Sequence, residues 1–161
     1  STSKKTNFKA LNYQNISDGL IDEQLTSLKV LDPCYEKFCL EDGDFIFAKH
    51  GTSFKFANAS VPSGQKVLLT GNFYIIKLDT KKVDPYYLQA YLTSADGQAL
   101  LLKSAQGMRI KVLSKKDLRA LSITLPPMAK QKKIAIKFKR HLDEIAACRK
   151  KLSKLRQGFT F

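Results

Sequence analysis

Between residues 8 and 80 the apolar residues come in short runs broken by polar turns, the pattern of a domain built from small strands. Phe45-Ile46-Phe47-Ala48, Phe54 to Ala57 and Val67-Leu68-Leu69 are such runs. Asp18-Gly19, Asp42-Gly43-Asp44 and Pro62-Ser63-Gly64 are turn signals near or between them. Asn72 to Leu78 alternates weakly and is rich in aromatic and β-branched residues, which predicts another strand. The period changes at Asp84-Pro85-Tyr86-Tyr87. An Asp at the N-cap with Pro at the first helical position predicts a helix through about Leu102, with Tyr87, Leu88, Tyr91 and Leu92 on one face. Gly107 interrupts the chain. A strand over Arg109–Leu113, a short helix around Asp117–Leu121 capped by Ser114, and a last strand over Ser122–Leu125 are expected before the double proline. The prediction is an α+β domain with a small mixed sheet over residues 1–125.

Residues 126–161 form a second unit with a different period. Ile134, Phe138, His141, Ile145, Cys148, Leu152, Leu155 and Phe159 follow alternating steps of four and three, the a/d stripe of a coiled coil. No Pro or Gly interrupts this stretch before Gly158. A helix from about 128 to 158 would be on the order of 45 Å long at about 1.5 Å per residue. A rod of that length is expected to cover its stripe with a second helix, from another copy or another part of the protein, because the preceding domain is too small to do so.

Charge separates the same two regions. Of 28 Lys and Arg, seventeen lie in residues 103–161 against three of the 14 Asp and Glu, so the whole net charge of +14 sits there. Between 130 and 156, Asp143 and Glu144 face eleven Lys and Arg. A solvated helix that merely mixes both signs for i,i+4 pairing would carry more acids, so the excess points to a polyanionic partner. A hydrophobic fraction of 43% excludes wholesale disorder. No apolar run reaches membrane-span length and no signal-peptide core follows the first residues, so the expectation is a cytoplasmic protein without membrane attachment.

Little in the chain points to catalysis. Glycine-rich cofactor loops, phosphate loops and metal-protease helices are missing. Asp84-Pro85-Tyr86-Tyr87 lacks the second proline of the amino-methyltransferase motif and reads better as a helix start. Asp79-Thr80-Lys81 has no companion Asp of a nuclease core. His50 and His141 have no nucleophile at a persuasive position. Cys34, Cys39 and Cys148 are an odd number, and with His50 they make no complete zinc set, so free thiols and no metal are expected. The loop Lys49-His50-Gly51-Thr52-Ser53-Phe54-Lys55 is more suggestive. Gly51 permits close approach to a phosphate backbone, Lys49 and Lys55 supply charge, and His50, Thr52 and Ser53 have the groups to bond base edges. Gln106-Gly107-Met108-Arg109-Ile110-Lys111 is a second basic turn of this kind. A plain polar turn is the alternative for each.

The order of these pieces resembles the target-recognition domain of type I restriction-modification specificity subunits, over nearly the whole chain. Leu40-Glu41-Asp42-Gly43-Asp44-Phe45 through Thr52 resembles the family's Gly-Asp-hydrophobic run and basic Gly-Thr loop. Asn72 to Asp79 is similar to its central strand, Asp84 to Leu88 to the following helix, and Gly107 to Ile110 with Leu113-Ser114 and Asp117-Leu118 to its glycine-strand-helix passage. Pro126-Pro127-Met128-Ala129-Lys130-Gln131-Lys132-Lys133-Ile134 is similar to the most specific signature, a Pro-Pro-x-x-x-Gln-x-x-Ile entry into a long helix. Two positions depart from the pattern. Phe54 stands where a second glycine is usual, and Lys130 where an acid usually precedes the Gln.

The resemblance implies a non-catalytic module that reads one half of a bipartite double-stranded DNA target. The contacts expected are Lys49, His50, Gly51, Thr52, Ser53, Lys55, Arg109 and Lys111. The helix would pair antiparallel with a second one through Ile134, Phe138, His141, Ile145, Cys148, Leu152 and Leu155, as a homodimer. It would also dock DNA methyltransferase subunits and, through them, the restriction and translocase subunit. The chain itself would hold no cofactor; S-adenosylmethionine belongs on the methyltransferase. Specificity subunits of this family contain two recognition domains and two helices. One of each here implies a half-subunit that dimerises or a piece of a longer chain. The alternative is the recognition domain of a fused DNA adenine methyltransferase or restriction enzyme.

Overall fold

In a computed structural model, residues 7–29, 32–51 and 53–159 are described. The chain runs through β1 (Phe8–Leu11), β2 (Ile16–Ser17), β3 (Leu20–Ile21), β4 (Thr26–Ser27), β5 (Phe45–Ala48), β6 (His50–Gly51), β7 (Phe56–Asn58), β8 (Lys66–Leu69) and β9 (Phe73–Ile76). Then follow helices α1 (Pro85–Thr93) and α2 (Ala95–Ser104), strand β10 (Lys111–Val112), and helices α3 (Lys115–Ala120) and α4 (Met128–Gln157). It is an α+β fold of small mixed sheets with one long C-terminal helix.

β5 is the organising strand. It pairs antiparallel with β7 on one side and β9 on the other, and all four of its residues are buried. Successive side chains leave a strand on opposite faces, so Ile46 and Ala48 enter one apolar cluster and Phe45 and Phe47 another. The first cluster joins Leu11, Ile16, Leu40 and Val67 beneath the sheet β4-β1-β8. The second joins Phe54, Phe56, Leu88, Leu92, Leu101 and Leu113 under the helices. Phe45 and Phe47 both stack on Phe56, at 6.2 and 6.0 Å between ring centroids. A strand buried on both faces needs a continuous apolar run rather than an alternating one, and Phe45-Ile46-Phe47-Ala48 supplies it.

Three sequence expectations are revised. The helix expected over 84–102 is two helices. It starts as foreseen, with the Asp84 carboxylate accepting from the amides of Tyr86 and Tyr87. The chain then leaves helical geometry at Ser94 (ψ 163°), whose hydroxyl accepts from Gly97 N and caps α2. A Cβ on Gly97 would lie 2.0 Å from the Tyr91 carbonyl oxygen, so only glycine permits this corner. The strand expected over 109–113 is reduced to Lys111–Val112, because residues 108–110 bend at the tip of a tight turn. Residues 121–127 form no strand; they run without a ladder partner into Pro127.

The long helix starts and stops within two residues of expectation, but it is not a rod standing clear of the domain. Gln131, Ala135 and Leu142 are buried, and the packing of α4 on α1 covers its first half. Farther along, Arg149 donates to Asp18 Oδ2 (2.6 Å), Ser17 O (3.0 Å) and Ser17 Oγ (2.9 Å) at the turn of the β2-β3 hairpin, and Lys150 pairs with Glu23 at 3.0 Å. The hairpin is itself fixed to α1, because the fully buried Gln89 donates to Gly19 O at 2.7 Å. Helix, hairpin and α1 therefore hold one another, and the direction of α4 is set by α1 and the hairpin together.

Candidate nucleic-acid interface

The two basic turns read from the sequence meet in space. β6 and β10 pair antiparallel, with Lys111 opposite Gly51 and Val112 opposite His50. Leu113 N donates to Lys49 O at 2.9 Å and extends the pairing by one step. Leu113 is fully buried, so the ribbon is anchored in the second apolar cluster. Mutual hydrogen bonds of 2.8 and 2.9 Å between the main chains of Gln106 and Val112 close the second turn. Gly107 has φ +105°, and a Cβ there would sit 2.2 Å from Ile110 O. The turn that presents Arg109 thus depends on that glycine.

The expected contact residues divide into two groups. Lys49, His50, Gly51, Arg109 and Lys111 are on the ribbon or its turn. Arg109 is exposed, while Lys49, His50 and Lys111 are half-buried. The Lys49 ammonium lies 4.9 Å from the Tyr74 ring centroid and donates to Gly71 O at 3.3 Å, which holds it beside the start of β9. Tyr74 in turn donates to Leu113 O at 3.1 Å, tying the ring to the ribbon. Lys55 is engaged elsewhere. Its ammonium lies 4.0 Å from the Tyr13 ring centroid and donates to Tyr13 O at 3.1 Å, while the Tyr13 hydroxyl donates to Ser53 O at 3.1 Å. Ser53 is exposed; Thr52 lies outside the described residues. Phe54, where the resembled pattern has glycine, is 7% exposed and packs 5.7 Å from the Phe47 ring. It ties the first turn to the core.

Sequence reasoning passed over Tyr13 and Tyr74, which hold the two lysines. Their roles rest on contacts about 40 and 25 residues away in the chain, which no local pattern shows. It also passed over the side chains of Met108 and Ile110, although both lie in a turn singled out for its charge.

α4 presents three faces. Gln131, Ala135 and Leu142 point into the domain. Ile134, Phe138 and Ile145 are half-buried at its margin, and His141, Cys148, Leu152, Leu155 and Phe159 are exposed. On the side away from the domain, Lys130, Lys133, Lys137 and Arg140 recur at steps of three and four and are all exposed, with no ion-pair partner among the described residues. No three His, Cys, Asp or Glu among the described residues cluster as a metal site would need, and no described helix is long and apolar enough to cross a membrane.

A search of curated proteins finds no significant match. The family model for the type I restriction modification DNA specificity domain matches residues 2–157. With its basic ribbon, its helix entry at Pro126-Pro127 and a match over nearly the whole length, this chain belongs to the family of type I restriction-modification DNA specificity domains.

Proposed function

We propose that this chain is a non-catalytic reader of one half of a bipartite DNA target, in which residues 1–125 recognise bases and residues 126–161 space and assemble the complex. The observation that carries the reading is the joining of two basic turns, 49–51 and 106–111, in one two-stranded ribbon at the domain surface. The major groove of B-DNA is about 12 Å wide and admits a two-stranded ribbon. Lys49, Arg109 and Lys111 contact phosphates or guanine edges, and His50 and Ser53 bond base edges nearby. Lys55, held by Tyr13, shapes the first turn and contributes charge from the side.

The helix pairs with a second helix of the same kind through Leu152, Leu155 and the margin residues Ile134, Phe138 and Ile145, with His141 and Cys148 along the seam. Leu152 and Leu155 are 48% and 57% exposed in the single chain, which supports a covering partner. An antiparallel pair sets two recognition units a fixed distance apart. The same helices dock methyltransferase subunits, which carry S-adenosylmethionine and the chemistry, and through them the restriction and translocase subunit.

Selection of bound duplexes from a random-sequence library tests the reading. Enrichment of a defined motif, bound with a dissociation constant that rises steeply with salt, is the expected result. Recovery of unrelated duplexes with no common motif would defeat it.

A further inference from the structure

The second basic turn has an apolar crest that charge alone leaves unused. Met108 is 98% exposed at its tip, followed by Ile110 at 57% and Val112 at 44%. A fully exposed Met beside two further exposed aliphatic side chains is uncommon without a partner. The crest is not a loose end. The main-chain bonds between Gln106 and Val112 and the tight backbone at Gly107 fix its base. Its surroundings have one sign: over residues 103–121 the chain carries Lys103, Arg109, Lys111, Lys115, Lys116 and Arg119 against Asp117 alone. An apolar tip within a cationic surround suits a polyanion that also exposes apolar groups. Duplex DNA fits this description, because its major groove shows the C5-methyl group of each thymine between two rows of phosphates.

We infer that Met108 is a specificity-determining residue that packs on a thymine C5-methyl group in the major groove, while Arg109 and Lys111 hold the flanking phosphates. This rests on the DNA-reading function proposed above and assigns one base class to one side chain. Met suits the role because its unbranched, polarizable chain adapts to a methyl surface. Ile110 behind it excludes water from the contact.

Deoxyuridine, which lacks only the methyl group, is the probe. In the duplex obtained by selection, each thymidine is replaced singly by deoxyuridine and the affinity of the full chain measured. Wild type should weaken roughly fourfold at one or more positions, the equivalent of about 0.8 kcal/mol for one buried methyl. Met108→Ala should bind the thymidine and deoxyuridine duplexes equally at that position, and Met108→Leu should keep the discrimination. Equal responses of wild type and Met108→Ala at every position would overturn the inference, as would a selected site without any methyl-sensitive thymine. Those results leave the preference for the selected duplex over a scrambled one intact. Loss of that preference in the wild type would instead bring down the DNA-reading function, and the inference with it.

Discussion

Gln131 gives the helix-entry signature a physical reason. Its amide is 1% exposed and makes three bonds, accepting from Asp84 N at 2.9 Å and donating to Lys82 O at 3.1 Å and Pro126 O at 2.9 Å. One side chain thereby joins the double proline, the start of α4 and the N-cap of α1. An apolar residue of similar size would leave those buried groups without partners. Gln131→Leu is expected to lower the unfolding free energy by about 2–3 kcal/mol, measured by urea denaturation, with no compensating gain from its methyl groups. Gly107 makes a different demand. Alanine there must adopt a positive φ and displace Ile110 O, so Gly107→Ala should disorder the turn at a cost of about 1–3 kcal/mol. Amide exchange at Val112 should accelerate, while exchange in β5 should not. The sequence displayed both residues but only half of their meaning. Gln131 could be seen at its place in a motif, yet two of its three partners lie 47 and 49 residues away.

At the scale of elements, local signals were legible wherever one residue decides. Asp84 and Ser114 act through bonds to close neighbours and the Asp18-Gly19 turn through its own positive φ angles, and each lies where the sequence puts it. The break at Ser94 was hidden because a Ser within a run of good helix formers costs little by itself; the corner depends on Gly97 meeting Tyr91. β1 to β4 were faint because each is only two to four residues long. The heptad pattern of α4 misled in one respect. It marks one stripe, while the second face, Gln131, Ala135 and Leu142, has a single large apolar residue and so makes no stripe in an apolar count. The two faces predict opposite phenotypes. Leu142→Ala should destabilise the folded chain by about 2–5 kcal/mol in denaturation. Leu152→Asp with Leu155→Asp should leave folding within about 0.5 kcal/mol of wild type. Wild type is expected to sediment as a dimer at micromolar concentration, and the double variant as a monomer. A wild-type monomer at every concentration would remove the helix from the assembly seam.

For the whole molecule, most of the charge and the proposed reading ribbon sit on different parts. The net positive charge lies in residues 103–161, and most of it in α4. α4 leans on the domain and turns Lys130, Lys133, Lys137 and Arg140 outward, whereas the ribbon presents fewer cations beside imidazole and apolar groups. Counting charge in the sequence therefore finds the helix before the ribbon. The meeting of residues 50–51 with 111–112 is a non-local pairing, invisible to any window along the chain. The most direct test of the central claim is the affinity of the Lys49→Ala, Arg109→Ala double variant for the selected duplex and for a scrambled one, across a series of salt concentrations. If the ribbon reads DNA, affinity for the selected duplex falls roughly tenfold or more, and the preference over the scrambled duplex shrinks while the helix continues to supply salt-dependent binding. Unchanged affinity and unchanged preference would contradict the account.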